Sequence, residues 1–479
     1  MPAADEPRGT ESGLGLGAQA ALVLLAAAPF LACLAAGFVW DDWQRIANNP
    51  HLGWSAIPAF WTGDPAVLGG LSRGSMYNPL AWTTYAIEAA LAPSRPPMLF
   101  HATNLLIHGL LGLGLYHLVR SASGTDARIA GLIALAVAWS PVLGETAGWV
   151  SARLDGLAAL LLVVGAALAV RAQSLRAAAL GGAVLALSLT SKESGAALVV
   201  LVPLLLLAWR RDRPAMSTTV TAGAVALLLL GARVMAGVGV EGGAAALRPE
   251  WLPAAWLELM RLAVAPIGAG TALRPLPLTP SGGAWLLFLG LVALGLWAAR
   301  ARNLAAVLGV LWIAAGALPN ALAVTRYELL PDRYAAVALP GVALLLGAAV
   351  EAVKGRAGIV MAFAGVIAAA FVTLSSRQAL RFADDVAFFS HEVERWPDEP
   401  QGWFFLGDVL AAQGQFGHAD GALLKAAELA PDLPQVWLRL TTSRLEAGDP
   451  EGARRALDEG LRRLPEDPGL RALEQQLSR

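Results

Sequence analysis

The sequence predicts an all-α fold: a polytopic bundle of about eleven membrane-crossing helices over residues 1–376, then a short helical solenoid over residues 377–479. Three observations carry the prediction. The 479-residue chain is 56% hydrophobic and only 15% charged, with mean hydropathy +0.57, whereas an ordinary soluble domain is roughly 25% charged. The charge is unevenly placed: residues 377–479 hold 12 Lys/Arg and 18 Asp/Glu, out of 35 and 36 in the chain. The same tail repeats itself with a period of 34 residues. Together these exclude a soluble enzyme, a secreted disulfide scaffold and a disordered chain. The single cysteine, Cys33, rules out an intramolecular disulfide. A net charge of −1 with no basic stripe or basic tail gives nucleic-acid binding no support. Basic residues are 32 Arg against 3 Lys beside abundant Ala, Gly and Leu, a usage that suggests a GC-rich bacterial genome.

A crossing helix needs about 20 mostly apolar residues. Segments of that kind lie at 17–38, 99–119, 129–144, 154–170, 175–190, 195–209, 217–236, 284–299, 303–323, 334–350 and 357–375. The first is not read as a signal peptide, because its flank carries Asp5, Glu6 and Glu11 against Arg8. Alternate connections are short and basic: Arg120/Arg128, Arg171/Arg176, Arg210 to Arg213, Arg300/Arg302 and Lys354/Arg356. The positive-inside rule assigns these to the cytoplasm. The N-terminus is then cytoplasmic, and the long loops 39–98 and 237–283 are extracytoplasmic, as is the tail. The expected location is a bacterial inner (cell) membrane. Trp54 and Trp61 in the first loop, and Trp251 and Trp256 in the second, mark stretches expected in the interface plane.

In the tail, Trp403, Leu406, Gly414, Ala419, Leu423 and Pro431 recur as Trp437, Leu440, Gly448, Ala453, Leu457 and Pro465. That is tetratricopeptide (TPR) spacing, two helices per repeat with small residues where they cross. Two repeats and a capping helix at 469–478 are expected. Two repeats are few for a free solenoid, so the tail is expected to lean on the membrane domain.

Ionisable residues at a membrane are costly and count as functional candidates. Here Asp41 and Asp42 follow the first span. His101, Asn104 and His108 share one helical face of the second. Glu145, Arg153 and Asp155 surround the turn between the third and fourth. Lys192 and Glu193 follow the fifth; Arg326, Asp332 and Arg333 lie between the ninth and tenth. The topology puts all of them on the extracytoplasmic side. Paired carboxylates can act as a general base toward a hydroxyl, and Arg or Lys can hold a phosphate. A phosphate at the interface with an apolar tail in the bilayer is a lipid-linked sugar. Each residue also has a plainer reading: a polar span end for Asp41-Asp42, bundle histidines for His101 and His108, an ion pair across a turn for Glu145 and Arg153, a snorkelling pair for Lys192 and Glu193, an interface anchor for Arg333.

The stretch FVWDDWQRIANNPHL at 38–52 resembles the opening motif of the transmembrane and tetratricopeptide-repeat protein O-mannosyltransferases, members of the GT-C class of polyprenyl-phosphate-sugar-dependent glycosyltransferases. FHATNLLIHGLL at 100–111, SPVLGETAGWVSARLDGLAAL at 140–160, TSKESG at 190–195 and DRYAAVALPG at 332–341 resemble further motifs of that family, in the same order. Two departures stand out: the family's His-Pro is Ser140-Pro141, and its Y-R-P-L is Tyr77-Asn78-Pro79-Leu80.

The resemblance implies a GT-C-type bundle and an inverting single displacement of sugar, mannose as first expectation, from a polyprenyl phosphate to a hydroxyl. It implies Asp41 as base, with Asp42 orienting the acceptor or binding a divalent metal if one is used. Lys192, Arg153 and Arg333 are the implied phosphate ligands; Glu145, His101, His108, Asp155 and Glu193 are further candidates. No covalent cofactor is implied, and the repeats point to a polypeptide acceptor. Two other readings stay open: a transferase acting on a glycolipid or cell-wall glycan, and a transporter or flippase with a docking tail. The second calls for an inverted repeat and charges near the midplane, and neither is found.

Overall fold

The structure, a computed structural model, describes residues 13–63, 77–238, 248–277, 279–325, 329–353 and 357–477. Arg326, Lys354, Arg356 and parts of both long loops lie outside them. The fold is all-helical, with one isolated bridge, Pro275 to Leu329, among the described residues.

Among the described residues, eight helices are long and apolar enough to cross a bilayer: α1 (Leu16–Ala35), α3 (Pro97–Ser123), α5 (Val150–Arg171), α7 (Glu193–Arg210), α8 (Arg213–Met235), α10 (Gly282–Arg300), α11 (Leu304–Val324) and α12 (Asp332–Ala352). Counting α4 makes nine: Ala127–Ala138 and Pro141–Gly148 meet at a 58° bend. Pro141 causes the break, since a proline lacks an N–H and restricts the residue before it. The sequence leads to about eleven spans; eight or nine helices among the described residues meet the length and composition of one. The other two segments are helical but differ in kind. The helix α6 (Leu175–Thr190) is shorter than a full span. The helix α13 (Ala357–Ala379) runs past the expected boundary at 376, with several side chains near its start outside the description. Both still return the chain. Lys192, after α6, touches Asp155 at the start of α5, and Arg381, after α13, approaches Glu145.

Packing follows from composition. Helix α3 is central, against α1, α4, α5 and α12. Small residues let backbones approach: at Gly341 an added Cβ would stand 2.5 Å from the Gly309 carbonyl, so α11 and α12 meet almost backbone to backbone. Helices α8 and α10 leave most of their apolar side chains uncovered, Leu227, Leu228, Leu286 and Leu289 among them, as lipid-facing helices do. In the first loop lie α2 (Pro79–Leu91) and a short turn at Ile57–Thr62; in the second lies α9 (Leu252–Val264). Trp256 on α9 donates to the Ala314 carbonyl, so this tryptophan anchors to the bundle.

The tail holds α14 (Asp385–Arg395), α15 (Pro400–Ala412), α16 (Phe416–Leu429), α17 (Pro434–Glu446), α18 (Pro450–Arg463) and α19 (Pro468–Leu477). The sequence period is thus a structural one. Trp403 and Trp437 each donate their indole N–H to a carbonyl six residues earlier, Pro397 and Pro431. Gly414 and Gly448 both turn with positive φ, +73° and +79°. The tail is not detached. Phe388, Phe389 and Leu406 share one apolar cluster with Phe30, Cys33, Leu105 and Trp149 of the membrane part.

Candidate functional site

The segment after α1 carries the two aspartates, and the structure separates their environments. Asp42 is fully buried. It accepts from the Ser151 N–H (2.7 Å), the Ser151 hydroxyl (2.5 Å) and the Val39 N–H (3.2 Å). Both its oxygens are therefore occupied, which fits a framework part better than metal binding or acceptor contact. Asp41 is more open, with 34% of its side chain exposed, and pairs with Arg45 at 3.0 Å. Trp40, just before it, sits at φ +51°. That conformation costs a bulky residue on the order of 1–3 kcal/mol, so surrounding contacts must hold it. Its indole stacks on Trp149, 5.3 Å between centroids and 5° between planes. Its N–H donates to Asp385 at 2.6 Å.

Burial pushes the Asp42 carboxyl up from 3.8 to about 7, against the opposing pull of its Ser151 and Val39 donors. The folded state then keeps a proton that the unfolded chain releases. This contribution to stability is full below about pH 3.8 and is lost as pH rises through about 7. Thermal unfolding in detergent should show stability falling across that window, and Asp42→Asn, which cannot titrate, should flatten the fall. Parallel profiles for the two proteins would show that Asp42 is not the titrating group.

A second set of residues forms a continuous chain of charge. Lys192, between α6 and α7, reaches Asp155 on α5 at 2.5 Å. Arg333, at the start of α12, lies 3.6 Å from the other Asp155 oxygen and donates to Glu145 on α4 at 2.8 Å. Arg381 lies 3.5 Å from Glu145 and 3.6 Å from Glu392 of α14. Glu392 in turn accepts from the Ala272 and Leu273 N–H groups. The Tyr334 ring faces both Lys192 (4.2 Å) and Arg333 (5.1 Å), and Arg333 also covers Trp149 at 4.7 Å. Trp149 thus lies between Arg333 and Trp40, joining the charge chain to the Asp41 segment. Lys192 and Arg333 keep 14% and 13% of their side chains exposed, while Asp155 and Glu145 lie almost wholly inside. The two cations are the accessible face of the chain. Glu193 stands at its edge, accepting from the Tyr77 N–H and pairing with Arg233.

Three further expected site residues, besides Asp42, direct hydrogen bonds into the protein interior. Arg153 spends all five N–H groups inside the protein: on Asn104, Thr84, the Phe100 carbonyl and both oxygens of Glu88. It has none left for a phosphate. His101 bonds the Gly37 carbonyl at 2.9 Å, and His108 bonds the Ala138 carbonyl at 3.0 Å with its ring against Phe30. His108 thus has the contacts of a bundle histidine, whereas the Nδ1 of His101 is buried without a hydrogen-bond partner. Among the described residues no group of three His, Cys, Asp or Glu side chains could hold a metal ion.

Sequence reasoning missed Glu88, Arg381, Glu392, Asp385 and Ser151. Glu88 carried a readable signal, a carboxylate alone in the apolar stretch AWTTYAIEAAL.

Fold and site together define a class: a multi-pass helical membrane protein with a dense ionisable cluster where one set of helix ends meets. No family model matches the chain. It is similar to a human protein named protein O-mannosyl-transferase TMTC1, 32% identical over 163 residues. The match covers 32% of this chain and 18% of that relative, so the chain spans well under two thirds of the protein it resembles.

Proposed function

We propose that the chain is an integral-membrane glycosyltransferase that moves a sugar, mannose first, from a polyprenyl phosphate to a hydroxyl. The observation that carries this is the pairing of Lys192 and Arg333 on one carboxylate, Asp155, linked through Trp149 to the Asp41 segment. Cations held in place by buried acids cost no reorganisation when negative charge develops on a leaving phosphate. The similarity to the human O-mannosyltransferase supports the same reading.

In this mechanism an acceptor hydroxyl oxygen attacks the anomeric carbon of the donor. The bond from that carbon to the phosphate oxygen breaks, and the electron pair leaves with the lipid phosphate. Asp41 takes the hydroxyl proton. Lys192 and Arg333 receive the phosphate charge, while Glu145 and Asp155 hold the two cations in register. Asp42 fixes the loop through Ser151. The tail would present a polypeptide acceptor, by analogy with grooves of its repeat pattern. Incubating purified protein with a panel of labelled polyprenyl-phosphate sugars and peptide or glycolipid acceptors tests the reading. Transfer to glycolipid alone would replace the protein acceptor, and transfer from no donor would sink the proposal.

The reading also sets the site and tail outside the cytoplasm of a bacterial cell membrane. An alkaline-phosphatase fusion after residue 479 should be active, and one in the Arg210–Arg213 connection inactive. The reverse pattern would turn the site to the cytoplasmic face.

A further inference from the structure

We propose that Asp385, in the tail, is a positioning residue that sets the conformation of the loop bearing Asp41, so that the tail completes the site instead of merely hanging from it. This rests on the transferase reading above. Asp385 opens α14, but it does not cap that helix. Its neighbour Asp384 does so, accepting from the Ala387 N–H. Asp385 is left to reach across 345 residues of sequence, with one oxygen on the Trp40 N–H (2.6 Å) and the other on the Trp43 indole N–H (2.7 Å). The two bonds bracket Asp41 and Asp42.

Packing alone would not need them. The Trp40 ring already sits among Trp149, Phe388, Phe389 and Phe405. Ring packing of that kind is weakly directional about the backbone. What it leaves open is the φ of Trp40, which stands at +51°, a region bulky residues avoid. A return to negative φ would rotate the next peptide and swing Asp41 away from its present aim. A carboxylate on the Trp40 N–H holds that dihedral, since bonds from backbone N–H to an ionised acceptor are short and strong. The grip on Trp43 fixes the far side of the same turn. A catalytic group misplaced by about 1 Å can cost about 10²-fold in rate, so small loop rotations suffice.

The test uses the full-length protein in detergent, with Asp385→Ala and Trp43→Phe. The variants should lose turnover per folded molecule, about 10–100-fold for Asp385→Ala and less for Trp43→Phe, with the KM for donor within about twofold. Amide exchange in peptides covering 39–43 should quicken about tenfold, while peptides from α17 and α18 stay unchanged. A residue serving only stability would lower the melting temperature and leave turnover per folded molecule, and local exchange, as in the parent. That outcome overturns the proposal. If Asp385→Ala does not fold, Trp43→Phe decides by the same two readouts. If the parent protein transfers from no donor, the transferase reading fails, and exchange at 39–43 alone judges the role of Asp385.

Discussion

Asp41→Asn should cut turnover by about 10²–10⁴-fold, the range typical of a lost general base, while donor binding holds. The substitution nearly preserves shape. Asp41 is the more exposed aspartate, and its ion pair with Arg45 spans a single helical turn. Such partly exposed pairs are worth about 0–1 kcal/mol, so folding should survive. Arg333→Ala should behave differently. It removes the cation shared by Glu145 and Asp155 and leaves two nearly buried carboxylates with one partner fewer. Donor affinity should fall, because a charge-assisted phosphate contact is lost, and stability should fall with it. The two variants therefore separate proton transfer from donor binding. Turnover by Asp41→Asn at the parent rate, measured per folded molecule, would move the base elsewhere.

How much of this was readable in the sequence depends on the range of the interaction. Apolar runs of adequate length showed the helices at once, and the 34-residue period placed the tail helices, with α15, α17 and α19 beginning at Pro400, Pro434 and Pro468. The short segment at 175–190 has the bounds of α6, but the kink at Pro141 is less legible, since composition counts apolar residues and not the continuity of hydrogen bonds. In the site, Lys192, Asp155, Glu145 and Arg333 were each singled out for lying at one set of helix ends, and the structure joins them directly. Their partners across the fold were not. Arg381 meets Glu145, and Asp385 meets Trp40, over separations that no local pattern encodes. Those contacts tie the tail to the candidate site, which the charge boundary near 376 does not show.

Arg153 shows how a local motif can mislead. It lies two residues from Asp155, and both sit in the stretch resembling one family segment, so the sequence groups them in one cluster. Residues two apart on a helix do not share a face. Asp155 turns toward Lys192 and Arg333, and Arg153 turns the other way, toward α2 and α3. The same geometry explains Asp41 and Asp42, neighbours in sequence with opposite exposure.

The Arg153 pair then yields the largest expected change in stability. Its guanidinium is fully inside, Glu88 is nearly so, and Arg153 lies 4.4 Å over the Tyr85 ring. Removing one member of a buried pair strands the other charge and typically costs about 3–5 kcal/mol. Arg153→Met should therefore unfold at a much lower temperature, or fail to accumulate, because Glu88, Asn104 and the Phe100 carbonyl all lose their donor. Restoring neutrality should recover much of the loss. In Arg153→Met with Glu88→Leu no charge remains, and apolar replacements of whole buried pairs are often neutral or stabilising. The double variant should regain most of the parent melting temperature and, once folded, bind donor normally. The sequence motif predicts the opposite: Arg153→Met folds well and loses donor affinity, and no change at Glu88 repairs it. Thermal unfolding of the three proteins in one detergent, followed by donor titration of those that fold, separates the two. A stable Arg153→Met that cannot bind donor would return Arg153 to the phosphate site and show that its five internal bonds contribute little to stability.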